Sequence, residues 1–250
     1  MHKLGHTRSV NCRDHRLHTP DTFIRIPLPS ITGGSAVVHT SPAGGSAFTQ
    51  YTAELDRSGT LASVPSQRFA FVLQGSVEVR AAESATTLAP LTPGGYAYLP
   101  QGCIASLAAL EPARIAVIEK HYQPHPALPP PPALFSHEDA ALAAPLMGDS
   151  DVQVRALLPD SPAYDFAVNT MTYQPGATLP MVEEHVMEHG LLMLAGGGIY
   201  RLADQWYPVA EGDFIWMAPY CPQWFGALGK TPAKYLIYKD FHRHPHGRPA

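Results

Sequence analysis

The sequence predicts an all-β protein made of two tandem barrels of short strands, with few short helices. Glycine and proline account for 20 and 26 of the 250 residues, whereas charged residues make up only 15%. This composition is typical of many short strands joined by turns rather than of long surface helices. The apolar segments are short, and their order in the first half of the chain recurs in the second half.

The charge balance and the hydropathy exclude two classes of protein. There are 17 basic and 21 acidic residues, giving a formal net charge of -4, so we expect no binding to nucleic acid driven by basic charge. No apolar run reaches the roughly 20 residues of a membrane span, and the start of the chain has no apolar core typical of a signal peptide. We therefore expect a cytoplasmic protein with no membrane partner.

The cysteines and the amino-terminal histidines show no recognisable ligand spacing. Three cysteines are too few and too scattered for a disulfide framework, so we expect reduced, partly buried thiols at Cys12, Cys103 and Cys221. The histidines near the start are expected to be solvated; they are His2, His6, His15 and His18.

The internal repeat is marked by glycines. An apolar segment leads to Gly75 in the first half, and another leads to Gly196 in the second half. The next apolar segment in each half follows Gly94 or Gly212, which are 118 residues apart. Two copies of one β module explain this order most simply.

The boundary between the copies is predicted from a proline-rich stretch. Residues 123–135 include Pro124, Pro126 and the run Pro129 to Pro132, which is typical of a stiff extended connector. The predicted domains are therefore 1–122 and 136–250. The stretch Ser136 to Leu142 begins with a serine followed by acidic residues, which predicts one helix.

Short strands connected by tight turns close into barrels or double-sheet jelly rolls, which leave few exposed edges. Gly94, Pro100 and Gly102 match the spacing of the second cupin motif, and the region from Gly176 to Gly196 has the layout of the first. The chain therefore resembles the cupin family. Because the resemblance covers both halves, it implies a bicupin of two tandem double-stranded β-helix (jelly-roll) barrels.

The densest cluster of candidate metal ligands includes Glu183, His185 and His189. If this segment is extended, the three odd-numbered side chains project from one face and offer a carboxylate and two imidazoles to a divalent cation. His185, Glu188 and His189 also fit the pattern H-x-x-E-H, which requires a helix, but Pro180 and Gly190 leave no room for one. A third interpretation is a set of solvated polar residues on a loop.

The first copy lacks this cluster. Alignment of the two copies places Ala62, Val64 and Arg68 opposite the three candidate ligands. It also places Ala105 opposite Gln223, which occupies the usual histidine position of the second cupin motif. None of the four residues in the first copy binds a divalent cation, so we expect the second module to carry the only metal site.

The departure from three histidines is itself informative. Glu183, His185, His189 and Gln223, followed by the sequence Tyr235-x-x-Tyr238-Lys239-Asp240, resemble the family of manganese-dependent (S)-ureidoglycine aminohydrolases. Two nitrogen and two oxygen donors suit Mn²⁺, although Fe²⁺, Ni²⁺ and Zn²⁺ remain open. The resemblance implies that these four residues are the metal ligands. It also implies substrate contacts from Tyr200, Tyr235 and Lys239, and catalytic roles for Glu183 and Lys239.

The resemblance implies hydrolytic deamination of (S)-ureidoglycine to (S)-ureidoglycolate and ammonia, in allantoin and purine catabolism. The partner is then a small-molecule substrate, and the low charge fraction favours a homo-oligomer. Two alternatives belong to other functional classes. One is another metal-dependent cupin enzyme, a dioxygenase or an isomerase; the other is a non-catalytic bicupin that binds a metabolite.

Overall fold

A computed structural model describes residues 5–81 and 89–243 of the chain. These residues form twenty β-strands and three short 3₁₀ helices, at Pro20–Thr22, Pro42–Gly44 and Glu138–Ala140. The predicted all-β class is therefore confirmed. Within the described residues, no helix is long and apolar enough to cross a membrane.

The strands belong to two compact units. The first unit contains residues 24–141, apart from the undescribed stretch, together with residues 161–165. Its strands are β3 (Arg25–Ile26), β4 (Ile31–Thr40), β5 (Thr49–Leu61), β6 (Gln67–Gln74), β7 (Val77–Ala81), β8 (Gly95–Leu99), β9 (Ala105–Ala109), β10 (Ala113–Lys120) and β11 (Leu134–His137). Seven of them follow one another in the order β11-β8-β6-β10-β5-β4-β3, while β9 pairs with β5 and β7.

The second unit contains residues 5–23, 142–160 and 166–243. Its strands are β1 (Val10–Asn11), β2 (His15–His18), β12 (Ala143–Leu146), β13 (Asp149–Ala156), β14 (Phe166–Tyr173), β15 (His189–Ala195), β16 (Gly197–Leu202), β17 (Gln205–Ala210), β18 (Phe214–Met217), β19 (Gln223–Ala227) and β20 (Ala233–Asp240). One sheet has the order β1-β2-β18-β15-β20-β14-β13-β12, and a smaller sheet has the order β17-β16-β19. Apolar side chains such as Leu191, Ile215 and Phe225 fill the core of this unit.

The predicted repeat is visible in the backbone. Gly75 and Gly196 both have positive φ, at 77° and 65°, a region that favours glycine. A Cβ atom at Gly75 would collide with the carbonyl oxygen of Pro112, and one at Gly196 with that of Pro232. The two halves therefore make the same tight turn against the same kind of Pro-Ala step, which supports their origin as copies of one module.

The boundaries of the units differ from those predicted at residues 122 and 136. The amino-terminal strand β2 pairs with β18, so residues 5–23 belong to the second unit and not to the first. The connector region and β11 belong to the first unit because β11 pairs with β8. The predicted helix at residues 136–142 is wrong: the segment starts as the end of β11 and continues as the single 3₁₀ turn Glu138–Ala140.

An ion pair fastens the amino-terminal segment to the second unit. The Arg8 guanidinium donates two hydrogen bonds to the Asp213 carboxylate, at 2.5 and 2.8 Å. The Asp213 side chain is fully buried and also accepts the backbone N–H of Ala210. Asp213 therefore needs Arg8 as its cationic partner, since a buried carboxylate without one is unfavourable.

Replacing Arg8 with alanine should destabilise the protein by roughly 1–3 kcal/mol, because Asp213 then remains buried and charged without a cation. The value lies below that of a fully buried pair, since the Arg8 side chain is 42% exposed. Urea unfolding measures the change in the free energy of unfolding. The matched control is Arg25→Ala, which removes an exposed arginine paired with Glu54 and should give no measurable change. Equal effects of the two substitutions would contradict this account.

Candidate metal and substrate site

A cavity of about 240 Å³ lies inside the second unit. Its size suits a small metabolite rather than a drug-sized ligand. The polar residues that line it include all seven predicted site residues and one more; they are Glu183, His185, His189, Tyr200, Gln223, Tyr235, Lys239 and Asn169. Apolar side chains from β13, β14 and β20 complete the wall. The structure thus brings the predicted residues together in one pocket.

The four predicted ligands come from different backbone contexts. His189 is the first residue of β15 and Gln223 the first residue of β19. Glu183 forms an isolated antiparallel bridge with Gln223, with the backbone N–H of each residue donating to the carbonyl of the other. His185 lies in an irregular segment. The expectation of one continuous extended segment through all three ligands is therefore wrong, and the barrel, not strand alternation, makes them converge.

The separations suit a common cation. His185 Nε2 lies 3.1 Å from Glu183 Oε2, about the spacing of two donors bound at right angles, each about 2.1 Å from one ion. The rings of His185 and His189 are 5.4 Å apart between centroids. The donors of Glu183, His185 and His189 are not all mutually within 4.8 Å. Binding a cation therefore requires a small rotation of the His185 side chain, which is 31% exposed.

His189 is prepared as a neutral ligand. Its Nδ1 lies 3.0 Å from the carbonyl oxygen of Glu188, which fixes the proton on Nδ1 and leaves the Nε2 lone pair available. Burial is the main cause that lowers the pKa of His189 to about 3, and the neighbouring His185 and Lys239 contribute in the same direction. The imidazole therefore carries no proton on Nε2 at neutral pH.

Gln223 and Tyr200 form a buried pair. The Tyr200 hydroxyl donates a 3.0 Å hydrogen bond to Gln223 Oε1, and both side chains are buried. Burial raises the pKa of Tyr200 well above its usual value, so the phenol keeps its proton. This bond orients the amide oxygen, which is the hard neutral donor that a divalent cation would use.

Tyr235 and Lys239 lie on one face of β20, as the alternation in the sequence predicts. The Tyr235 hydroxyl is 2.7 Å from that of Tyr173. Lys239 lies opposite His189 in the antiparallel register of β20 and β15. Burial lowers the pKa of Lys239, while the nearby Glu183 acts in the opposite direction. The Lys239 side chain lines the cavity beside the candidate ligands.

The sequence indicates no supporting role for three residues that hold the site in place. The Glu188 carboxylate accepts a 2.6 Å hydrogen bond from the Trp216 indole, and the backbone N–H of Glu188 donates to the Asp240 carboxylate at 2.5 Å. These contacts hold the backbone immediately before His189. The only signal in the sequence is that Glu188 alternates with the ligands, which places it on the opposite face of the strand.

Asn169 is a further pocket residue that the sequence does not reveal. It lies on β14 opposite Ile237 of β20, one pleat away from the position that pairs with Lys239. A single asparagine within an apolar strand carries no motif, so only the register of β14 and β20 identifies it.

The first unit has an arginine, Arg68, at the position equivalent to His189. Arg68 lies opposite Glu119 in β6 and β10, as His189 lies opposite Lys239 in β15 and β20. The Arg68 guanidinium is buried, donates from Nε to Glu119 at 2.8 Å and donates from Nη1 to the carbonyl of Ala62 at 2.7 Å. Of the first-copy residues aligned with the candidate ligands, Arg68 thus forms a buried ion pair with Glu119, and Ala62 accepts a hydrogen bond from it through its carbonyl oxygen.

Comparison with known sequences identifies related proteins. A EutQ-like cupin domain matches residues 42–122, and a cupin domain matches residues 169–238. The (S)-ureidoglycine aminohydrolase of Arabidopsis thaliana is 41% identical over 96% of this chain and 80% of its own length. The protein of that name from Escherichia coli is 29% identical, covering 96% of this chain and 93% of its own.

Solved structures show the same architecture. The putative glyoxylate-induced protein of Pseudomonas aeruginosa has a TM-score of 0.86 at 27% identity, covering 100% of this chain and 96% of its own. The Ylba protein of E. coli has a TM-score of 0.83 at 24% identity, covering 95% of each chain. Bacillus subtilis oxalate decarboxylase, at 13% identity and a TM-score of 0.69, covers 91% of this chain and 78% of its own and shares the fold alone.

The fold, the duplicated module and the barrel lined by candidate metal-binding side chains define the protein as a bicupin. Within that class, the identity to the plant relative over nearly the whole chain shows a narrower relationship. The chain belongs to the (S)-ureidoglycine aminohydrolase family.

The depressed pKa of His189 makes a prediction about acid stability. In the unfolded chain a histidine titrates near 6.5, whereas folded His189 titrates at about 3, so the unfolded state binds the extra proton between these values. Its contribution to stability is fully present above pH 6.5 and is lost as pH falls toward 3. We expect His189→Gln to reduce the pH slope of the metal-free protein by up to about 1.4 kcal/mol per pH unit. Urea unfolding between pH 7.5 and 4.5 measures both slopes, and parallel slopes would contradict the assignment.

Proposed function

We propose that the protein catalyses the hydrolytic deamination of (S)-ureidoglycine to (S)-ureidoglycolate and ammonia, a step of allantoin degradation and purine catabolism. The observation that carries the proposal is the pocket itself, in which Lys239 lies opposite His189 while Glu183 and Gln223 bridge to each other. Ureidoglycine carries a carboxylate, an amine and a ureido group on one carbon. A cationic side chain, a carboxylate and neutral amides are the complementary groups. The names of the plant and bacterial relatives support the same substrate.

We propose Mn²⁺ as the cation held by Glu183, His185, His189 and Gln223. The donor set of two nitrogens and two oxygens without thiolate fits a hard divalent ion. Such an ion supplies positive charge next to the substrate and lowers the pKa of a coordinated water. Metal analysis of the purified protein distinguishes Mn²⁺ from Fe²⁺, Ni²⁺ and Zn²⁺.

Each side chain of the pocket has a separate role in the proposed reaction. Lys239 pairs with the substrate carboxylate and so orients the reacting carbon. The amine leaves as ammonia while the ureido N–H loses its proton, which produces an acylimine. Water then adds its hydroxyl to the carbon and its proton to the nitrogen. Glu183 is the carboxylate placed to carry these protons, while Tyr200 keeps Gln223 in position and Tyr235 faces the ureido end.

The remaining partners follow from size and composition. The cavity of about 240 Å³ suits a small-molecule substrate. We also propose a cytoplasmic location, and we propose a homo-oligomer because only 15% of the residues are charged. Light scattering of the full chain tests the oligomer, since it should give at least twice the 27.0 kDa of one chain.

The decisive experiment follows both ammonia release and the handedness of the product. Manganese-loaded protein incubated with fresh ureidoglycine should give only (S)-ureidoglycolate, whereas spontaneous loss of ammonia gives a racemate. Gln223→Ala should lower the rate to the background and reduce the metal content, because it removes a ligand. Arg25→Ala, a substitution in the first unit, serves as the control. A racemate from protein that retains its metal would refute the proposed reaction, and oxygen consumption would indicate a cupin oxygenase instead.

Substitutions of Lys239 and Asn169 should distinguish binding of the substrate carboxylate from binding of the ureido group. Lys239→Met removes the partner of the substrate carboxylate and should lower kcat/KM by about 10–100-fold, the value of a charged hydrogen bond. Asn169→Leu removes an amide that can pair reciprocally with a ureido group, and should raise KM for ureidoglycine by about tenfold with smaller effects on kcat. Steady-state kinetics measure both. Unchanged KM in Asn169→Leu would show that this amide does not contact the substrate.

A further inference from the structure

A second cluster of donor atoms lies at the amino-terminal hairpin and contains none of the pocket residues described above. Asp14 ends the turn between β1 and β2, His15 is the first residue of β2, and Cys221 lies in the segment between β18 and β19. One oxygen, one nitrogen and the sulfur of these residues all lie within 4.8 Å of one another. His15 is only 2% exposed and Cys221 4% exposed. The expectation of a solvated His15 is therefore wrong. His6 is exposed as expected, His18 is partly buried, and His2 lies outside the described residues.

Two further side chains surround the cluster. The Tyr207 hydroxyl is 2.9 Å from His15 Nε2, and Asp14 Oδ1 is 2.8 Å from His15 Nδ1. Cys12 begins the same turn, with its backbone N–H donating to the carbonyl of His15 at 2.9 Å. The Cys12 thiol hydrogen-bonds with Tyr207 and is near enough to Cys221 to influence its pKa. Two thiols, an imidazole and a carboxylate therefore converge at one place.

We propose that Asp14, His15 and Cys221, with Cys12 as the fourth donor, form a second metal site that binds a zinc-class divalent cation. Sulfur, nitrogen and carboxylate donors in a set of four are the ligands that tetrahedral zinc uses. Donors at about 2.0–2.3 Å from one ion lie roughly 3.3–3.8 Å apart in a tetrahedral site, so a cation bound by both residues would take the place of the 2.8 Å contact between Asp14 Oδ1 and His15 Nδ1. The four candidate ligands of the pocket include no thiolate, which makes the two sites chemically distinct.

Binding requires proton release. A cysteine sulfur binds a cation as the thiolate, so the Cys221 thiol gives up its proton when a cation takes its place. The sulfur–hydrogen bond breaks, the thiolate binds the cation and the proton goes to solvent. His15 supplies one neutral ring nitrogen in exchange for one of the two hydrogen bonds that it now makes.

The second site would fasten the hairpin to the loop beside the pocket. The carbonyl of Asp14 accepts the backbone N–H of Ala218, at the start of the loop that leads to Cys221. In the same loop, the backbone N–H of Tyr220 donates to the carbonyl of His185 at 2.6 Å. A cation on Asp14 and Cys221 would therefore hold both ends of this loop, next to a candidate ligand of the first site.

Cobalt(II) is the probe because a thiolate ligand gives a sulfur-to-cobalt charge-transfer band that Glu, His and Gln ligands do not. Reduced full-chain protein, loaded with manganese, is titrated with Co²⁺ and then with Zn²⁺. We expect the band to appear on addition of cobalt and to disappear when zinc displaces it. Cys221→Ala should abolish the band, and Cys12→Ala and His15→Ala should weaken cobalt binding at least tenfold. The matched control is Cys103→Ala, which removes a thiol of the first unit and should leave the band unchanged.

A wild-type protein without the charge-transfer band would overturn the proposal, as would a band that survives in both Cys221→Ala and Cys12→Ala. Circular dichroism verifies that each variant is folded. If Cys221→Ala does not fold, Cys12→Ala and Asp14→Asn decide the question, because Cys12 is exposed and the Asp14 side chain is 49% exposed. Neither outcome depends on whether the protein hydrolyses ureidoglycine.

Discussion

The candidate site depends on the antiparallel register of β15 between β18 and β20. This register sets His189 opposite Met217 on one side and opposite Lys239 on the other, so that a ligand and a cationic side chain share one row of the sheet. A slip of β15 by one residue would turn His189 away from the cavity, because successive strand residues face opposite sides. The contacts of Glu188 with Trp216 and Asp240 hold the strand at the point where this row begins.

The two units balance the charges at their aligned positions in different ways. In the first unit, the Arg68 guanidinium pairs with Glu119 and also contacts the carbonyl of Ala62. The negative charge of Glu119 is therefore balanced by a side chain of the same unit. In the second, His189 is neutral and Glu183 faces a cavity, so the arrangement suits a cation and an anionic substrate from outside.

The amino-terminal segment ties distant parts of the sequence together. Strand β2 pairs with β18, Arg8 pairs with the buried Asp213, and the hairpin turn brings Asp14 and His15 to Cys221. These contacts join residues about 200 positions apart in the sequence, so no local pattern in the first 20 residues predicts them. They explain why a boundary drawn from composition assigned this segment to the other unit.

The sequence alone determined the all-β class, the internal repeat and the Glu-His cluster, because glycine turns, short apolar segments and closely spaced ligand types are local signals. The other site residues were implied by the resemblance to the family, and the shared face of Tyr235, Ile237 and Lys239 follows from the twofold period of one strand. Tertiary structure alone decided that Asn169 lines the pocket, that Tyr200 holds Gln223, and that His15 is buried beside Cys221. The physical reason is that strand pairing between segments far apart in sequence sets those contacts, and residue type and spacing do not encode which strands will be neighbours.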